Sequence, residues 1–343
     1  MKSKILLKIL MPLFLLFASN VLIAQTITTG GTLVAVNTTY GTASGETSFT
    51  VEGPGTSFTN GILVTAPTGY EVSLTSGSGF GPTVTAPLSV NTVPLVTVYL
   101  RLKADATVSG GPTYNGDIVL TSAGALNTPL NLATVASTVS PKPLTITGLT
   151  ANTKVYDASL TATLSGTATL TGGLVGADVV TIGATGTASF ATAGVGVAKP
   201  VTVVGYTITG ADAANYTVSQ PTGLTADITA KGLTISGVSA SNKVYDATNT
   251  ATLTGTATLT GVEVGDVVTV SGGSGTFASA NVATGIAVTV TGYTLAGAQA
   301  ANYTVAQPTG LTADITAKGL TISGVSASNK VYDATNTATL TGT

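Results

Sequence analysis

Ten aspartates and four glutamates carry nearly all the acid–base chemistry available near neutral pH in this 343-residue chain, because it has neither histidine nor cysteine. That absence removes Ser-His-Asp triads, imidazole or thiolate metal sites and thiol nucleophiles. Paired carboxylates can still cleave glycosidic bonds, with Glu46, Glu52, Glu71 and Glu263 available beside the aspartates. Sugar subsites also draw on aromatic platforms, and the chain has no tryptophan, so exposed carboxylates on strands and turns are the expectation. Asp157, Asp246 and Asp333 each follow a tyrosine, while Asp178 and Asp266 sit in glycine-containing turns. A calcium site needs several converging oxygens, and each of these aspartates stands alone, so they are expected to act as local turn acceptors. Asp212 aligns with Gln299, so whatever that position does is independent of charge. "SGGSGT" at 271–276 is followed by no lysine of the kind a phosphate loop needs and is expected to be a hairpin turn. Lys154 with Asn215, or Lys243 with Asn302, could form an amide cross-link if a buried carboxylate stood beside them. Tyr156, Tyr245 and Tyr332 are expected to pack their rings on their own module's core with the hydroxyl at the rim. No catalytic, cofactor-binding or metal-ligating residue is assigned, and no cofactor.

The elements that must position these groups are written as a repeat. "NKVYDATNTATLTGT" at 242–256 returns letter for letter at 329–343. The longer stretch at 142–172 matches 231–261, which restarts at 318; Tyr156 recurs as Tyr245 and Tyr332, steps of 245 − 156 = 89 and 332 − 245 = 87. "AANYTV" and "LTADITA" recur late in each copy, Asn215 matching Asn302. A period near 87 exceeds the roughly 20 to 50 residues of solenoid units, so each copy is long enough for a core of its own. Within a copy, apolar and polar residues alternate: Leu144 and Ile146 with Thr145 and Thr147, Val288 and Val290 with Thr289 and Thr291. Such period-two runs predict half-buried strands. "GAQAAN" at 297–302 has room for one helical turn. Residues 25–140 lack the repeat but share its grammar: "GILVTAPTGYEVSL" places two strands about a turn, and 96–104 point Val96, Val98, Leu100 and Leu102 inward.

Composition narrows the classes further. Hydrophobic residues make up 43% and aromatics 5%, which predicts folded modules with thin cores of small and β-branched side chains. Lys2, Lys4 and Lys8 precede an apolar run at 9–24, the pattern of a secretory signal peptide cleaved before Gln25. Without those three lysines, nine basic residues face fourteen acidic ones (12 − 3 = 9), a balance that excludes nucleic acid as a partner. The expected location is extracellular or on the outer cell surface, with no membrane insertion after cleavage.

"KVYDA", the turns "GADVV" and "GDVV", Phe190 or Phe277, "AANYTV" and "LTADIT" together resemble the YDG repeat domain of bacterial surface adhesins over residues 142–343. The name-giving glycine is replaced by Ala158, Ala247 and Ala334. Residues 25–140, with "TTYGTAS" and "VYLRLKADATV", resemble an immunoglobulin-like module of secreted Bacteroidota proteins. The predicted fold is all-β: tandem antiparallel sandwich-like modules strung end to end, with a β-grasp-like sheet as the variant for the repeats. The expected divisions are a signal peptide (1–24), an immunoglobulin-like module (25–140), two YDG-like repeats (141–230 and 231–317) and the start of a third (318–343). The resemblance implies a non-catalytic adhesin stalk or spacer, a monomeric extended chain whose partner is a surface protein or glycan. The alternatives are an N-terminal module that itself binds a glycan or protein, or the non-catalytic part of a larger secreted enzyme. A third copy of only its opening residues cannot bury a sheet face, so 318–343 is expected to be loosely packed.

Overall fold

A computed structural model describes residues 25–56, 58–108 and 113–342. The expected signal peptide at 1–24 lies outside the described residues. The chain is all-β, as the alternation predicts, and among the described residues the helical turns at Ala213–Asn215 and Ala300–Asn302 are three residues each. The second of these falls within the stretch expected to make one turn.

Residues 25–140 form two four-stranded antiparallel sheets. One orders Thr28–Gly30, Thr47–Gly53, Val93–Leu102 and Tyr70–Ser73; the other orders Thr83–Ala86, Ile62–Thr65, Asp117–Thr121 and Leu130–Ala133. Phe49, Val51, Val72, Val98 and Leu100 from the first sheet share a core with Ile62, Val64, Ile118 and Leu120 from the second. Burial of each such side chain contributes about 1.5–3 kcal/mol, which is how a core poor in aromatics holds two sheets together. The turn at 66–69 carries the chain from one sheet to the other rather than closing a hairpin, since Ile62–Thr65 and Tyr70–Ser73 pair in different sheets.

The two repeats share one plan. In each, a three-stranded sheet pairs the opening strand in parallel with the strand after "AAN": Lys142 opposite Tyr216 in the first copy, Lys231 opposite Tyr303 in the second. A five-stranded sheet follows, ordering Lys154–Val155, Thr225–Thr229, Gly196–Val204, Thr187–Phe190 and Thr161–Ala162 in the first copy. Its counterpart orders Lys243–Val244, Leu311–Thr316, Ala283–Ala296, Thr269–Phe277 and Thr250–Ala251. Each copy is therefore mixed, with parallel pairs among antiparallel ones, because its first strand and a late strand run the same way and the rest of the copy lies between them in sequence.

Two compact units gather these sheets, and they are interleaved in sequence. The first takes residues through 147 with 168–185 and 205–220; the second takes 148–167, 186–204 and 221 onward. In the first unit Leu144, Val180 and Tyr216 of the first copy belong to the same core as the N-terminal sandwich. In the second, Phe277, Val288, Val290, Tyr293 and Ile315 form a core of the second copy.

"SGGSGT" is not a turn. Residues 271–276 lie inside the strand Thr269–Phe277, paired with Ala283–Ala296. Gly272 and Gly273 have φ of +86° and +94°, and a Cβ on Gly273 would overlap the Tyr293 ring. The glycines let a kinked strand pass over an aromatic ring while pairing continues on either side. Residues 318–342 keep only the short pair Ser326–Ala327 with Leu340–Thr341, and Leu320, Ile322, Val331 and Tyr332 are exposed.

Candidate functional site

The Lys-Val-Tyr-Asp-Ala segment builds its own small loop. Lys154 Nζ reaches Asp157 Oδ1 at 2.6 Å, the Ser159 carbonyl at 2.8 Å and the Ser159 hydroxyl at 3.0 Å, while Ser159 N donates to Asp157 Oδ1 at 2.9 Å. Lys243 with Asp246 and Thr248, and Lys330 with Asp333 and Thr335, repeat the arrangement. These aspartates are local turn acceptors, as expected. Hydrogen bonds from Lys243 and from Thr248 lower the Asp246 carboxyl to about 2. Burial pushes Asp157 up, but the bonds from Lys154 and Ser159 outweigh it and hold it below the usual range. Ala158, Ala247 and Ala334, where the family's name places glycine, have φ of +58°, +66° and +57°. The left-handed turn persists without glycine, imposed by the lysine–aspartate loop around it.

That loop also settles the lysines. Lys154 and Lys243 each lie 5.6 Å from the ring centre of Phe190 and Phe277 and are tied to their aspartates. Asn215 Oδ1 accepts from Val108 N at 2.9 Å, and Asn302 Oδ1 from Val195 N at 3.0 Å. The suggested Lys–Asn cross-link pairs are thus engaged elsewhere.

The loop's tyrosine does what sequence reasoning missed. Tyr156 reaches beyond its own copy: its hydroxyl donates to Asp266 Oδ2 of the second copy at 2.9 Å, and Tyr303 donates to the same oxygen at 2.6 Å. The two rings meet edge to face, 5.3 Å between centres at 79°. In the first unit Tyr40 of the N-terminal sandwich and Tyr216 of the first copy converge on Asp178 Oδ2 at 2.8 and 2.6 Å, with ring centres 5.4 Å apart at 81°. Asp178 and Asp266 are therefore acceptors for two phenols from different modules, which corrects the expectation that they serve only their own turns. The tyrosine of the later module also accepts from the turn: Val175 N to Tyr216 Oη at 2.8 Å, Glu263 N to Tyr303 Oη at 2.9 Å. Asn215 and Asn302 add the second tie at each junction, because Val108 belongs to the N-terminal sandwich and Val195 to the first copy.

The electrostatics follow from this geometry. Burial, then the hydrogen bond to the carboxylate, pushes the Tyr303 phenol up to about 12. Tyr40, Tyr156 and Tyr216 are raised for the same two reasons in the same order. A carboxylate flanked by two neutral phenols is an interlock, with each charge-assisted bond contributing about 1.5–3 kcal/mol and each edge-to-face pair about 0.5–1.5 kcal/mol. Asp212 and Gln299 explain their own interchange: Val179 N donates to Asp212 Oδ2 at 2.8 Å and Val267 N to Gln299 Oε1 at 3.0 Å, so an oxygen is needed and a charge is not.

Both halves of the recurrent clasp, the "GADVV" or "GDVV" turn and the "AANY" segment, lie in two stretches that comparison with known families picks out. Residues 140–223 and 229–310 match the YDG domain. Each matched stretch supplies one Asp–Tyr pair: Asp178 with Tyr216, Asp266 with Tyr303. No curated protein matches the chain as a relative. Among the described residues there is no group of three or more acidic side chains that could hold a metal ion, and no helix long and apolar enough to cross a membrane.

Proposed function

We propose that the chain is a secreted or cell-surface, non-catalytic repeat protein that acts as a stalk or spacer for an adhesive region. The observation that carries this reading is the recurrence of one clasp at successive junctions, Tyr40 on Asp178–Tyr216 and Tyr156 on Asp266–Tyr303. A joint that locks by ring packing and a shared carboxylate fixes one module on the next, which is what a spacer requires and what a free hinge would defeat. The scarcity of catalytic side chains and the lysine-led apolar N-terminus support the same reading. The test is small-angle scattering on the chain and on a variant with residues 231–317 duplicated in tandem. A spacer gains a fixed increment in maximum dimension; a particle that stays equally compact would reject it. Export is checked separately by N-terminal sequencing of secreted protein, expected to begin at Gln25.

A second reading, recognition of a glycan or protein by the N-terminal immunoglobulin-like module, is favoured by one feature. Leu88, Val90 and Leu95 are exposed around a turn that holds Val90 and Asn91 at φ of +46° and +64°. Strained, exposed apolar turns are the kind of surface that binding sites use. Binding to a glycan or protein array that survives deletion of the repeats but is lost in Val90→Asp would favour it over the spacer.

A further inference from the structure

Tyr245 is the second copy's version of Tyr156, and everything on its own side of the joint is already in place. Its backbone N–H donates to Thr316 O at 2.9 Å as that of Tyr156 does to Thr229 O at 2.9 Å. Lys243, Asp246 and Thr248 hold the loop as Lys154, Asp157 and Ser159 do. Ala247 sits in the same left-handed conformation as Ala158. The difference is coverage: Tyr156 is 4% exposed beneath Asp266 and Tyr303, whereas Tyr245 is 37% exposed. Val282 is aligned with the Val195 whose N–H meets Asn302, and is 50% exposed against 37% for Val195. The exposed face thus contains the two positions, a loop tyrosine and a backbone donor, that the preceding module uses to receive its neighbour.

We infer that the Tyr245–Val282 face is a docking site for one further YDG-type module, which would close on it with an aspartate–tyrosine pair and an "AAN" asparagine. Two junctions argue for this occupant. Tyr156 and Val195 receive Asp266, Tyr303 and Asn302 from a copy of the same sequence. Tyr40 and Val108 receive Asp178, Tyr216 and Asn215 although they belong to a sandwich of unrelated sequence. The joint is therefore specified by the receiving tyrosine and donor together, whatever module carries them. Residues 318–343 repeat 231–256, the part of a copy that precedes the Asp266 turn, and their own Tyr332 and Asp333 are those of the Lys-Val-Tyr-Asp loop, not of the clasp. The inference stands on joint geometry and does not need the spacer reading.

The test uses the full chain and the variant with residues 231–317 duplicated, in which the added copy has the same neighbours in sequence as the existing one. Tyr332 and the duplicate's own Lys-Val-Tyr tyrosine are changed to Phe, so that nitration by tetranitromethane, read by peptide mass, reports Tyr245 separately, with Tyr156 as the protected reference in the same sample. The expected result is that Tyr245 falls to the nitration rate of Tyr156 in the duplicated chain. Changing the duplicate's counterpart of Asp266 to Ala should restore its reactivity. An unchanged rate overturns the inference, as does protection that survives the Asp→Ala change or a duplicate without amide-exchange protection. Protection already present in the unduplicated chain and rising with concentration would identify a second copy of the whole chain as the occupant, and would overturn it too. A protected Tyr245 in a particle that gains no length would keep the docking site while rejecting the spacer.

Discussion

Ala158 and Ala247 occupy left-handed backbone that costs an L-residue with a Cβ about 1–2 kcal/mol, and the Lys–Asp loop closes around them. Ala158→Gly and Ala247→Gly should therefore each raise stability, by about 1 kcal/mol, seen as a higher chemical-denaturation midpoint at unchanged slope. Tyr156→Phe keeps the edge-to-face ring contact and loses one bond to Asp266, so it should cost about 1–3 kcal/mol; a double-mutant cycle with Asp266→Ala should show coupling well above that of a distant pair. Tyr303, raised to about 12 from an ordinary value near 10, binds its proton more tightly in the folded chain. Its contribution is complete below pH 10 and lost as pH rises from there through about 12, so thermal midpoints should fall across that window and Tyr303→Phe should flatten the fall. Asp246 works at the other end: depressed to about 2 from 3.8, it supports the folded state above pH 3.8 and stops doing so as pH drops toward 2. The two sets of aspartates show what single residues disclose. Asp157 bonds two residues onward, a relation written in local sequence, whereas Asp178 bonds Tyr40, 138 residues away.

At the scale of elements, alternation was a sound guide where one face is buried and the other wet. Leu144, Ile146, Val288 and Val290 are buried and their intervening threonines are exposed, as period-two patterning requires. Glycine misled, because its usual meaning is a turn and in "SGGSGT" it means clearance for Tyr293. Gly273→Ala should consequently destabilise the second copy through both the ring overlap and the positive φ, with lost amide protection along Thr269–Phe277 as the readout. The one-turn helices carry a gentler prediction. Gln299→Asp should be nearly neutral, since Asp212 already fills that acceptor role in the first copy, while Gln299→Leu should cost about 0.5–1.5 kcal/mol through the abandoned Val267 N–H.

Across the whole molecule, the repeat in sequence and the compact unit in space are different divisions. The first copy contributes 168–185 and 205–220 to one unit and 186–204 to the other, and its Leu144 and Tyr216 share a core with the N-terminal sandwich. Residues 318–342, whose large apolar side chains are exposed, should exchange their amides rapidly outside the Ser326–Thr341 pair, and deleting them should leave the thermal midpoint unchanged.

By itself the sequence determined the class: all-β modules, two full copies of one pattern, and no imidazole or thiol with which to do familiar chemistry. Those properties depend on composition and on relations between residues one, two or 87 places apart, all of which can be read along a line. Only the tertiary structure decided that a tyrosine from one module, with an aspartate and a tyrosine from the next, makes the joint. The reason is physical: a shared hydrogen-bond acceptor is a relation of distance and direction between residues 37 to 138 places apart, and no local preference of the chain encodes it.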